Sequence, residues 1–463
     1  MWQPLFDPDL RPRYRAIAEA LGEDISSGRL QPGERLPTVR ALAAALGVTA
    51  GTVHRAYALA ESRGLLERRV GRGSFVRGEG GARQLPGMLP ASYSDPLSLA
   101  MNFPAPLALE AAFEQALAGI RRDGLIDALL NYEASRGHPR HRDAMAAWLR
   151  VRGAVLDGAS SAGESLILTC GAQQAVATAL FALARPGETV LCEALSYSGL
   201  KSAARLHGIK LAGLAMDAEG LLPEALQEAC RRRLGRLLFC MPTVHNPTTR
   251  TQSPARREAI AALVEKYRLT LIEDDLYLPP TAGLSPLQAL IPERTVYLSS
   301  LSKCVAPGLR LGAIAAPVTL LPDLVAAAQA CVWMASPLSA EIAARWIDSG
   351  EAAQIQSRRA TQNAARLAIA RDCLRGLRYE SAAHNTHLWL RAPLGWRGEE
   401  FASALAARGV TVTAPGYFAI GEHADDHLRL SIGQPASEGD LRRALGVVAE
   451  VADGRKGRMD FPL

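Results

Sequence analysis

The chain has 463 residues, of which 48% are hydrophobic and 21% charged, and its formal net charge is +6. This length exceeds one ordinary hydrophobic core, so we expect at least two domains. No run of about 18 apolar residues occurs, which argues against a membrane span, and the N-terminus lacks the pattern of a secretory signal. The seven scattered cysteines predict reduced thiols in the cytoplasm, and no cysteine or histidine spacing predicts a metal site.

The first eighty residues have the pattern of three helices followed by a β-hairpin. Thr38 and Thr49 are suitable N-caps for the second and third helices, and Gly71-Arg72-Gly73 marks the turn of the hairpin. The predicted elements are Arg13–Ser27, Thr38–Leu46, Thr49–Arg63, Leu65–Val70 and Ser74–Arg77. This order predicts a winged helix-turn-helix domain over residues 1–77.

The charge of this region supports a role in binding nucleic acid. From Arg29 to Arg77 there are nine arginines and three glutamates, with no lysine or aspartate. Arginine suits the phosphates of a DNA backbone, so we expect double-stranded operator DNA as a partner. The alternative is a solvated basic face on a small helical domain.

The same stretch resembles the GntR-type DNA-binding domain. The motifs that carry the resemblance are Pro32-Gly33-Glu34-Arg35-Leu36-Pro37-Thr38, Leu46-Gly47-Val48, Arg55-Ala56-Tyr57 and Gly71-Arg72-Gly73-Ser74-Phe75-Val76. The resemblance implies that Arg40, Thr52 and His54 or Arg55 face DNA, with Arg72 and Gly73 at the wing tip. We include Thr49, the N-cap of the third helix, among the expected DNA-binding residues. Ala50-Gly51 departs from the basic and polar residues that often start the recognition helix in this family, which shifts the expected base contacts to Arg40, His54 and the wing.

A linker separates this domain from the rest of the chain. Residues 78–97 are rich in Gly, Pro and Ser and show no sustained periodicity, which predicts a flexible tether. We therefore expect a separate domain over residues 98–463.

Strand-like runs alternate with helical stretches in this second domain, which predicts an α/β fold whose mostly parallel sheet has helices on both faces. The predicted strands are Leu166–Thr169, Thr189–Glu193, Lys210–Ala215, Arg236–Met241, Leu269–Ile272 and Thr295–Ser299. From about residue 340 to 463 the pattern predicts a small α+β subdomain. Its expected elements are a long helical stretch 340–376, strands 387–391 and 427–431, a β-like segment 410–413, and helices 399–408 and 438–451.

Polar residues follow several of these strands, and Lys303 is the most informative of them. It follows a strand-like run in a serine-rich turn, where burial lowers the pKa of an amine and suits it to forming an imine with an aldehyde. Ser300, Ser302 and Arg310 offer donors to a phosphate. An aldehyde and a phosphate on one ligand indicate pyridoxal 5'-phosphate (PLP); a solvated lysine at a helix N-terminus is the alternative for this stretch taken alone.

The other strand-end residues have roles around the same cofactor, because ligands bind at the carboxyl edge of open α/β sheets. Asp274 is expected to keep the pyridine nitrogen protonated, and Asn246 and Tyr277 to bond the phenolic oxygen. Tyr197 is expected to stack on the ring. Gly171-Ala172-Gln173 opens a helix whose free N–H groups would cradle the phosphate.

From about Ser98 onward the chain resembles a fold-type I aminotransferase, through Thr169-Cys170-Gly171-Ala172-Gln173, His245-Asn246-Pro247-Thr248, Glu273-Asp274-Asp275-Leu276-Tyr277, Ser300-Leu301-Ser302-Lys303 and Arg429-Leu430-Ser431. With its N-terminal domain, the whole chain resembles the MocR/GabR type of transcriptional regulator. The resemblance implies Lys303 as the imine lysine, Arg429 as a carboxylate clamp, and a homodimer in which Tyr132 reaches the partner's phosphate. Leu195 replaces a usual proline, and Asn102-Phe103-Pro104 replaces a glycine-bearing segment, which indicates an unusual ligand preference.

These features predict a PLP-dependent transcriptional regulator that senses PLP or an amino compound through the imine at Lys303. A working aminotransferase with an accessory DNA-binding domain is the alternative, and the residues do not separate the two because the catalytic parts are all present. A third reading, DNA binding with an empty aminotransferase fold, is opposed by Lys303, Asp274, Asn246, Tyr277 and Arg310. The fused DNA-binding domain favours regulation, with turnover slow or absent.

Overall fold

The structure, a computed structural model, describes residues 2–4, 13–31, 33–62, 65–69, 73–76, 96–156, 162–277, 283–421 and 426–454. The chain divides into two compact units, Met1–Pro86 and Gly87–Leu463. Within the described ranges, no helix combines the length and apolarity needed to cross a bilayer. The predicted linker, apart from residues 96 and 97, lies outside the described residues, so its boundaries stay a prediction.

The first unit has the predicted sequence of helices and hairpin. Its elements are α1 (Arg13–Ser26), α2 (Val39–Leu46), α3 (Ala50–Ser62), β1 (Leu66–Arg69) and β2 (Gly73–Val76). The Thr38 hydroxyl accepts the Ala41 N–H at 3.2 Å, and Gly47 ends α2 in the left-handed region at φ 60°. Such caps are each worth about 1 kcal/mol, which explains why the helix ends could be read from the sequence.

Buried apolar side chains hold these elements together. Leu42, Val53 and Tyr57 are almost fully buried, and the Tyr57 hydroxyl donates to the Pro37 carbonyl at 2.9 Å. β1 and β2 pair antiparallel, and Arg35 makes a further antiparallel bridge to Phe75. The wing is therefore packed against the segment that leads into the helix-turn-helix.

The second unit begins with helices and then alternates strands with helices before a final small subdomain. Its first elements are α4 (Glu110–Arg122), α5 (Ile126–Leu129), α6 (Pro139–Val151), β3 (Leu166–Thr169), α7 (Ala172–Leu183), β4 (Thr189–Glu193), α8 (Ser198–Leu206), β5 (Lys210–Leu214), β6 (Met216–Asp217), β7 (Gly220–Leu221), α9 (Pro223–Arg231) and β8 (Leu237–Cys240). They are followed by α10 (Pro254–Lys266), β9 (Thr270–Asp274), β10 (Thr295–Ser300), β11 (Gly312–Ala315), α11 (Leu321–Val332), α12 (Pro337–Asp348), α13 (Glu351–Cys373), β12 (Tyr379–Glu380), β13 (His387–Arg391), α14 (Gly398–Ala406), β14 (His427–Ser431) and α15 (Glu438–Asp453).

The large sheet has the order β3-β11-β10-β9-β8-β4-β5. β11 is antiparallel to both of its neighbours, and the other described pairs are parallel. The carboxyl ends of the parallel strands therefore meet at one edge, and the start of β11 lies at that edge too. The mostly parallel sheet was predicted; β11 was not.

Helices cover both faces of this sheet, as the alternation of side chains along the strands requires. On β9, Leu271 packs with residues of α9 and α10, whereas Ile272 packs with α7, α8 and α11. On β8, Leu237 and Leu238 divide in the same way. A sheet buried on both faces fixes the positions of its strand ends, and those ends carry the site.

The small subdomain is built on the antiparallel sheet β12-β13-β14, with α15 packed beside α13. The structure adds detail to two expectations here. The helical stretch predicted over residues 340–376 is divided into two helices, because Gly350 at φ 79° turns the chain between α12 and α13. The β-like segment 410–413 forms only an isolated bridge between Thr413 and Arg429.

Candidate functional site

The polar residues that follow the parallel strands do lie at one edge of the sheet. Lys303 follows β10, Tyr197 follows β4, and Asn246 follows β8. Asp274 is the last residue of β9, two residues beyond the predicted strand end, so it is held by the sheet itself. Arg310 joins them because β11 runs antiparallel and starts at this edge.

Asp274 is a buried carboxylate that lacks a partner. It is 1% exposed, and neither of its oxygens accepts a hydrogen bond within the described residues. Burial, together with the charges of Asp275 and Glu193, raises the pKa of Asp274 to about 8, although Lys303 opposes the shift. A carboxylate in this state is costly unless a cationic group satisfies it.

Lys303 is held close to this carboxylate by the turn after β10. Burial, aided by the charges of Arg429 and Arg310, lowers the pKa of Lys303 to about 8, while Asp274 acts in the opposite direction. Its ammonium donates a hydrogen bond to the backbone carbonyl of Asn102. A lysine with this pKa has an appreciable neutral fraction near pH 7, which is the form that attacks an aldehyde.

An anion cradle lies beside the lysine. The Ser300 hydroxyl contacts the Ser302 hydroxyl at 3.0 Å, and one guanidinium nitrogen of Arg310 lies 3.4 Å from Ser302 Oγ. A second guanidinium nitrogen donates to the Cys170 carbonyl at 3.1 Å, and the next residue, Gly171, is the N-cap of α7. A Cβ at Gly171 would lie 2.8 Å from Arg310, so glycine is required for this close approach.

The start of α7 completes the cradle. Ala172 is the first residue of the helix, and its neighbour Gln173 donates through Nε2 to the Gly199 carbonyl at 3.1 Å. The first N–H groups of an α-helix have no partner within the helix, so they bind anions. The expected phosphate site is thus assembled from three segments of the chain.

Tyr277 and Asn102 form a pair that sequence reasoning missed in part. Tyr277 was predicted, but Asn102 entered only as a departure from the aminotransferase pattern. The Asn102 amide donates to the Tyr277 hydroxyl at 2.5 Å, and its oxygen accepts from Thr386 Oγ1 at 2.5 Å. Because the Tyr277 oxygen accepts from Asn102, its own proton is left to donate into the site.

His387 is a second missed residue. Its Nδ1 lies 3.2 Å from Asn102 Nδ2 and 3.3 Å from Asn385 Nδ2, while its Nε2 has no partner among the described residues. Burial and the neighbouring cations Arg429 and Lys303 lower the pKa of His387 well below its usual range. It is therefore a neutral imidazole whose Nδ1 accepts, and the only sequence signal for it was its place at the start of β13.

Arg429 and Asn246 are joined across the site. Arg429 Nη1 donates to Asn246 Oδ1 at 3.0 Å, and Nη2 donates to the Ala100 carbonyl at 2.6 Å. Arg429 is 1% exposed, its Nε is unbonded, and no carboxylate pairs with it in the described part of the chain. Burial lowers the pKa of Arg429 to about 10, so it remains a cation at neutral pH.

Tyr197 lies at the start of α8 near these charged groups. Burial and the charge of Asp274 raise the pKa of Tyr197 to about 12, whereas the cations Arg429 and Arg310 act against the shift. A Cβ at Gly199 would lie 2.3 Å from the Tyr197 ring. Gly199 therefore leaves room for the ring in the position where a stacking residue was expected.

Tyr132 is separate from this group. It is 86% exposed, and its ring lies edge-on to Trp333 with the centroids 6.2 Å apart. Within its own chain it shows no contact with the phosphate cradle, so its expected role requires a second subunit.

The predicted DNA-facing residues lie on the first unit. Arg40, Thr49, His54 and Arg55 are exposed, whereas Thr52 is partly buried and hydrogen-bonded to Thr49, with their hydroxyls 2.9 Å apart. Their DNA contacts stay predictions.

Two of these residues are also engaged within the domain. Thr49 accepts the Thr52 N–H and so caps α3, and the Arg55 guanidinium lies 5.5 Å from the Tyr14 ring. Arg72 lies outside the described residues, and Gly73 starts β2 beside the exposed guanidinium of Arg35, a candidate that sequence reasoning did not select.

The residues of the second unit fit PLP. The unpaired Asp274 carboxylate matches a protonated pyridine nitrogen, Asn246 and Tyr277 retain donors for a phenolic oxygen, and the Arg310 cradle suits a phosphate. When bound, PLP supplies an aldehyde that links covalently to an amine and a ring that withdraws electrons from it. The fold and the site thus define a PLP-binding protein of the fold-type I class.

Comparison with known families identifies the chain more narrowly. The family described as "Aminotransferase class I and II" matches residues 94–448, and "Bacterial regulatory proteins, gntR family" matches residues 13–76. The first match spans most of the chain, so the protein belongs to the aminotransferase class I and II family. A GntR-type domain precedes this region, which is the MocR-type arrangement, and the expected fold class and cofactor are confirmed.

Similar proteins include regulators and enzymes. The chain is 29% identical to the uncharacterized HTH-type transcriptional regulator YdeF of Bacillus subtilis (strain 168) over 98% of its length and 97% of the relative. It is 28% identical to a 2-aminoadipate transaminase of Thermus thermophilus, covering 74% of this chain and 87% of the relative. The crystal structure of LysN, an α-aminoadipate aminotransferase from Thermus thermophilus complexed with N-(5'-phosphopyridoxyl)-L-leucine, superposes with a TM-score of 0.70. Their sequences are 25% identical, and the match covers 80% of this chain and 97% of LysN.

Proposed function

We propose that the protein is a transcriptional regulator that binds double-stranded DNA through its GntR-type domain and senses PLP or an amino compound at Lys303. The observation that supports the proposal is the presence, in one chain, of this domain and of a buried site whose residues fit PLP. YdeF, which is named as an HTH-type transcriptional regulator, aligns with both units. A bacterial-type transcriptional regulator acts where the DNA is, so we propose that the protein is cytoplasmic.

The chemistry of the site indicates the class of effector. An amine is needed to take the place of Lys303, whose pKa of about 8 makes it a good leaving amine near neutral pH. Arg429 is a buried cation whose Nε is unbonded, and arginine favours planar carboxylates. We therefore assign the effector to amino compounds that carry a carboxylate or a similar anion.

The contact between Lys303 and Asn102 provides a route from the site to the small subdomain. Asn102 belongs to an entry segment whose Leu99 carbonyl accepts the Ser431 N–H at 2.7 Å, and the Leu99 N–H donates to Thr411 at 2.7 Å. When an effector frees Lys303, the Asn102 carbonyl is placed to accept its hydrogen bond, as it does in this structure. The occupancy of the site thereby acts on a segment that hydrogen-bonds to β14.

A movement of the small subdomain would then alter DNA binding through the connection between the two units. Coupling of this kind is typically worth about 1–3 kcal/mol, which corresponds to about a 5- to 150-fold change in DNA affinity. Full turnover is not needed for such a response.

The substitution Arg429→Ala tests this proposal, with Arg429→Lys as a variant that keeps the charge. Both should retain PLP absorbance and basal DNA binding but lose the DNA-binding response to amino acids. Arg366→Lys is a matched control, because Arg366 is also buried in this subdomain and donates to the Ile432 and Pro435 carbonyls, both at 2.9 Å. If an Arg429 variant responds to amino acids like the wild type, Arg429 is not the carboxylate clamp. PLP itself would then be the signal.

We also propose a homodimer. Exposed apolar side chains cluster in sequence around the Tyr132–Trp333 pair, including Leu130, which is 73% exposed, together with Ile126 and Val332. Exposed apolar surface of this kind marks a protein interface. In the dimer, Tyr132 of one copy would reach the phosphate cradle of the other copy.

A working aminotransferase remains a second candidate because the residues of the site fit PLP and one relative is named a 2-aminoadipate transaminase. The purified protein should be assayed with PLP, an α-amino acid and a 2-oxo acid. We expect slow or absent turnover; rates typical of metabolic enzymes, about 1–10³ per second, would favour the enzyme instead.

A further inference from the structure

The edge of the large sheet opposite the PLP site is strongly basic. Cationic side chains occur just before or at the start of four neighbouring strands, β9, β8, β4 and β5. In the segments 185–188, 231–236 and 265–268, together with Lys210, there are eight cationic residues and two glutamates. We call this surface the amino-edge groove.

The excess of six positive charges in the amino-edge groove equals the formal net charge of the whole chain. The window Arg29–Arg77 of the DNA-binding domain carries another excess of six, so the remainder of the chain is acidic by the same amount. Positive charge is therefore concentrated in two places, of which one is already assigned to DNA.

The cations of the groove are mostly unpaired. Arg236 contacts Glu188 at 3.4 Å, and no other ion pair involves these eight residues within the described part of the chain. They are all exposed. A run of like charges that repel one another is unfavourable for the fold, so a polyanion that neutralises them would bind favourably.

Helix chemistry explains only part of this set. Arg231 and Lys266 lie in the last turns of α9 and α10, where cations offset the partial negative charge of a helix C-terminus. Arg232, Arg233 and Arg268 lie beyond those helix ends. The remaining cations therefore call for another explanation.

The groove has the dimensions of a backbone-binding surface. A cavity of about 670 Å³ is lined by Arg231, Arg233, Arg236 and Tyr267, among others. The pairings Thr189 with Lys210 and Leu237 with Thr270 place the strand starts in one row. Four strands in a row span about 14 Å, which is the rise of about four nucleotides in one DNA strand.

We propose that the amino-edge groove is a second DNA-binding surface, which contacts backbone phosphates of the duplex held by the GntR-type domain. The inference rests on the proposed function of that domain. It adds that the aminotransferase-like unit contacts DNA directly, without reading its sequence, because the groove offers charge rather than an element that enters a DNA groove.

The test uses the full-length protein loaded with PLP and a random-sequence duplex of about 60 base pairs, since phosphate contacts do not depend on sequence. The groove variant combines Arg231→Gln, Arg233→Asn and Arg236→Gln; asparagine suits the left-handed conformation of Arg233, whose φ is 53°. The control variant combines Arg371→Gln, Arg375→Gln and Arg378→Gln, three exposed arginines of the small subdomain, and removes the same charge.

Each phosphate contact that is lost should lower the slope of log K against log salt by about 0.9, so the groove variant should lose up to about 2.7 and the control almost nothing. The proposal is overturned if the slope falls equally in both variants or if it is unchanged in the groove variant. An unchanged slope would indicate that the groove binds an acidic protein instead of DNA. Arg40→Ala reports separately on the GntR-type domain. If that variant alone changes the slope, only the groove assignment fails, whereas a wild-type chain that does not bind the duplex overturns both.

Discussion

The substitution Asp274→Asn should have opposite effects on the stability of the PLP-free protein and on its affinity for PLP. In the wild type, neither oxygen of this buried carboxylate has a partner among the described residues. Asparagine has nearly the same shape, but it has neither a charge to bury nor a proton to take up on folding. The variant should therefore fold more stably without PLP and bind PLP less tightly.

The size of the first effect follows from the pKa of Asp274, which burial raises to about 8. Because this value lies above that of an unfolded aspartate, the folded protein holds a proton that the unfolded chain has released between about pH 4 and pH 8. The free energy of unfolding then falls by about 1.4 kcal/mol per pH unit as the pH rises through this window. From pH 6 to pH 8 the wild type should lose about 2–3 kcal/mol more than Asp274→Asn.

The size of the second effect follows from the bond that Asp274 would make to the pyridine nitrogen. A hydrogen bond to a charged group contributes about 1.5–3 kcal/mol, so PLP should bind about 10- to 150-fold more weakly to the variant. The coupled charges of Asp275 and Glu193 are present in both proteins, so the difference between the two isolates Asp274.

Urea unfolding of the PLP-free protein, followed by tryptophan fluorescence, measures the stability at each pH. Five of the six tryptophans lie in the second unit, so the signal reports mainly on it. Glu273→Gln is the matched control: burial also raises the pKa of Glu273 to about 8, but its carboxylate accepts the Leu287 and Gln288 N–H groups. Glu273→Gln should also make the free energy of unfolding less dependent on pH, but it should leave the affinity for PLP unchanged. An Asp274→Asn protein with the pH slope of the wild type, or with undiminished PLP affinity, would refute the reasoning.

Four further predictions test the site and the assembly. Borohydride reduction of the PLP-bound protein should place the pyridoxyl label on Lys303, and a label on another lysine contradicts the assignment. Arg40→Ala should lower the salt slope of DNA binding by about 0.9 without changing PLP absorbance. Light scattering at micromolar concentration should give the mass of a dimer, and Tyr132→Phe should weaken PLP binding; a PLP-bound monomer argues against the shared site. Asn102→Ala and Tyr277→Phe should each raise the pKa of the PLP–Lys303 linkage, read from its absorbance, and the double variant should shift this pKa no further than Tyr277→Phe alone.

The parts of the site that could be predicted are those whose position depends on one strand and the turn after it. Lys303, Asp274 and Asn246 each follow or end a short apolar run, and parallel strands bring such residues to one edge whatever the details of packing. Arg310 was predicted from its spacing to Lys303. The actual reason for its position is β11, a strand of four small or apolar residues that shows no alternation to reveal it.

The parts that could not be predicted depend on contacts between distant segments. Asn102 and His387 are 285 residues apart in sequence, and their contact depends on how the small subdomain lies against the large one. No local periodicity reports that arrangement. The break at Gly350 was missed for a different reason, because a glycine within a helical pattern is often tolerated, and only its left-handed φ of 79° ends the helix.

The buried groups without partners describe the ligand that this site would accept. Within the described residues, the Asp274 carboxylate, the Nε of Arg429 and the Nε2 of His387 each lack a hydrogen-bond partner. Lys303, Arg310 and Arg429 place three cations at the site, so the site should favour a ligand that carries a phosphate or carboxylate. PLP with its phosphate, joined to an amino compound with a carboxylate, carries these anions.

The neutral His387 lies beside Tyr277, with the ring centroids 5.9 Å apart. It therefore offers the effector a polar contact that depends on the shape of the effector and not on its charge. Discrimination among amino-acid effectors is therefore expected to depend on Asn102 and His387, whereas Arg429 sets only the requirement for an anion.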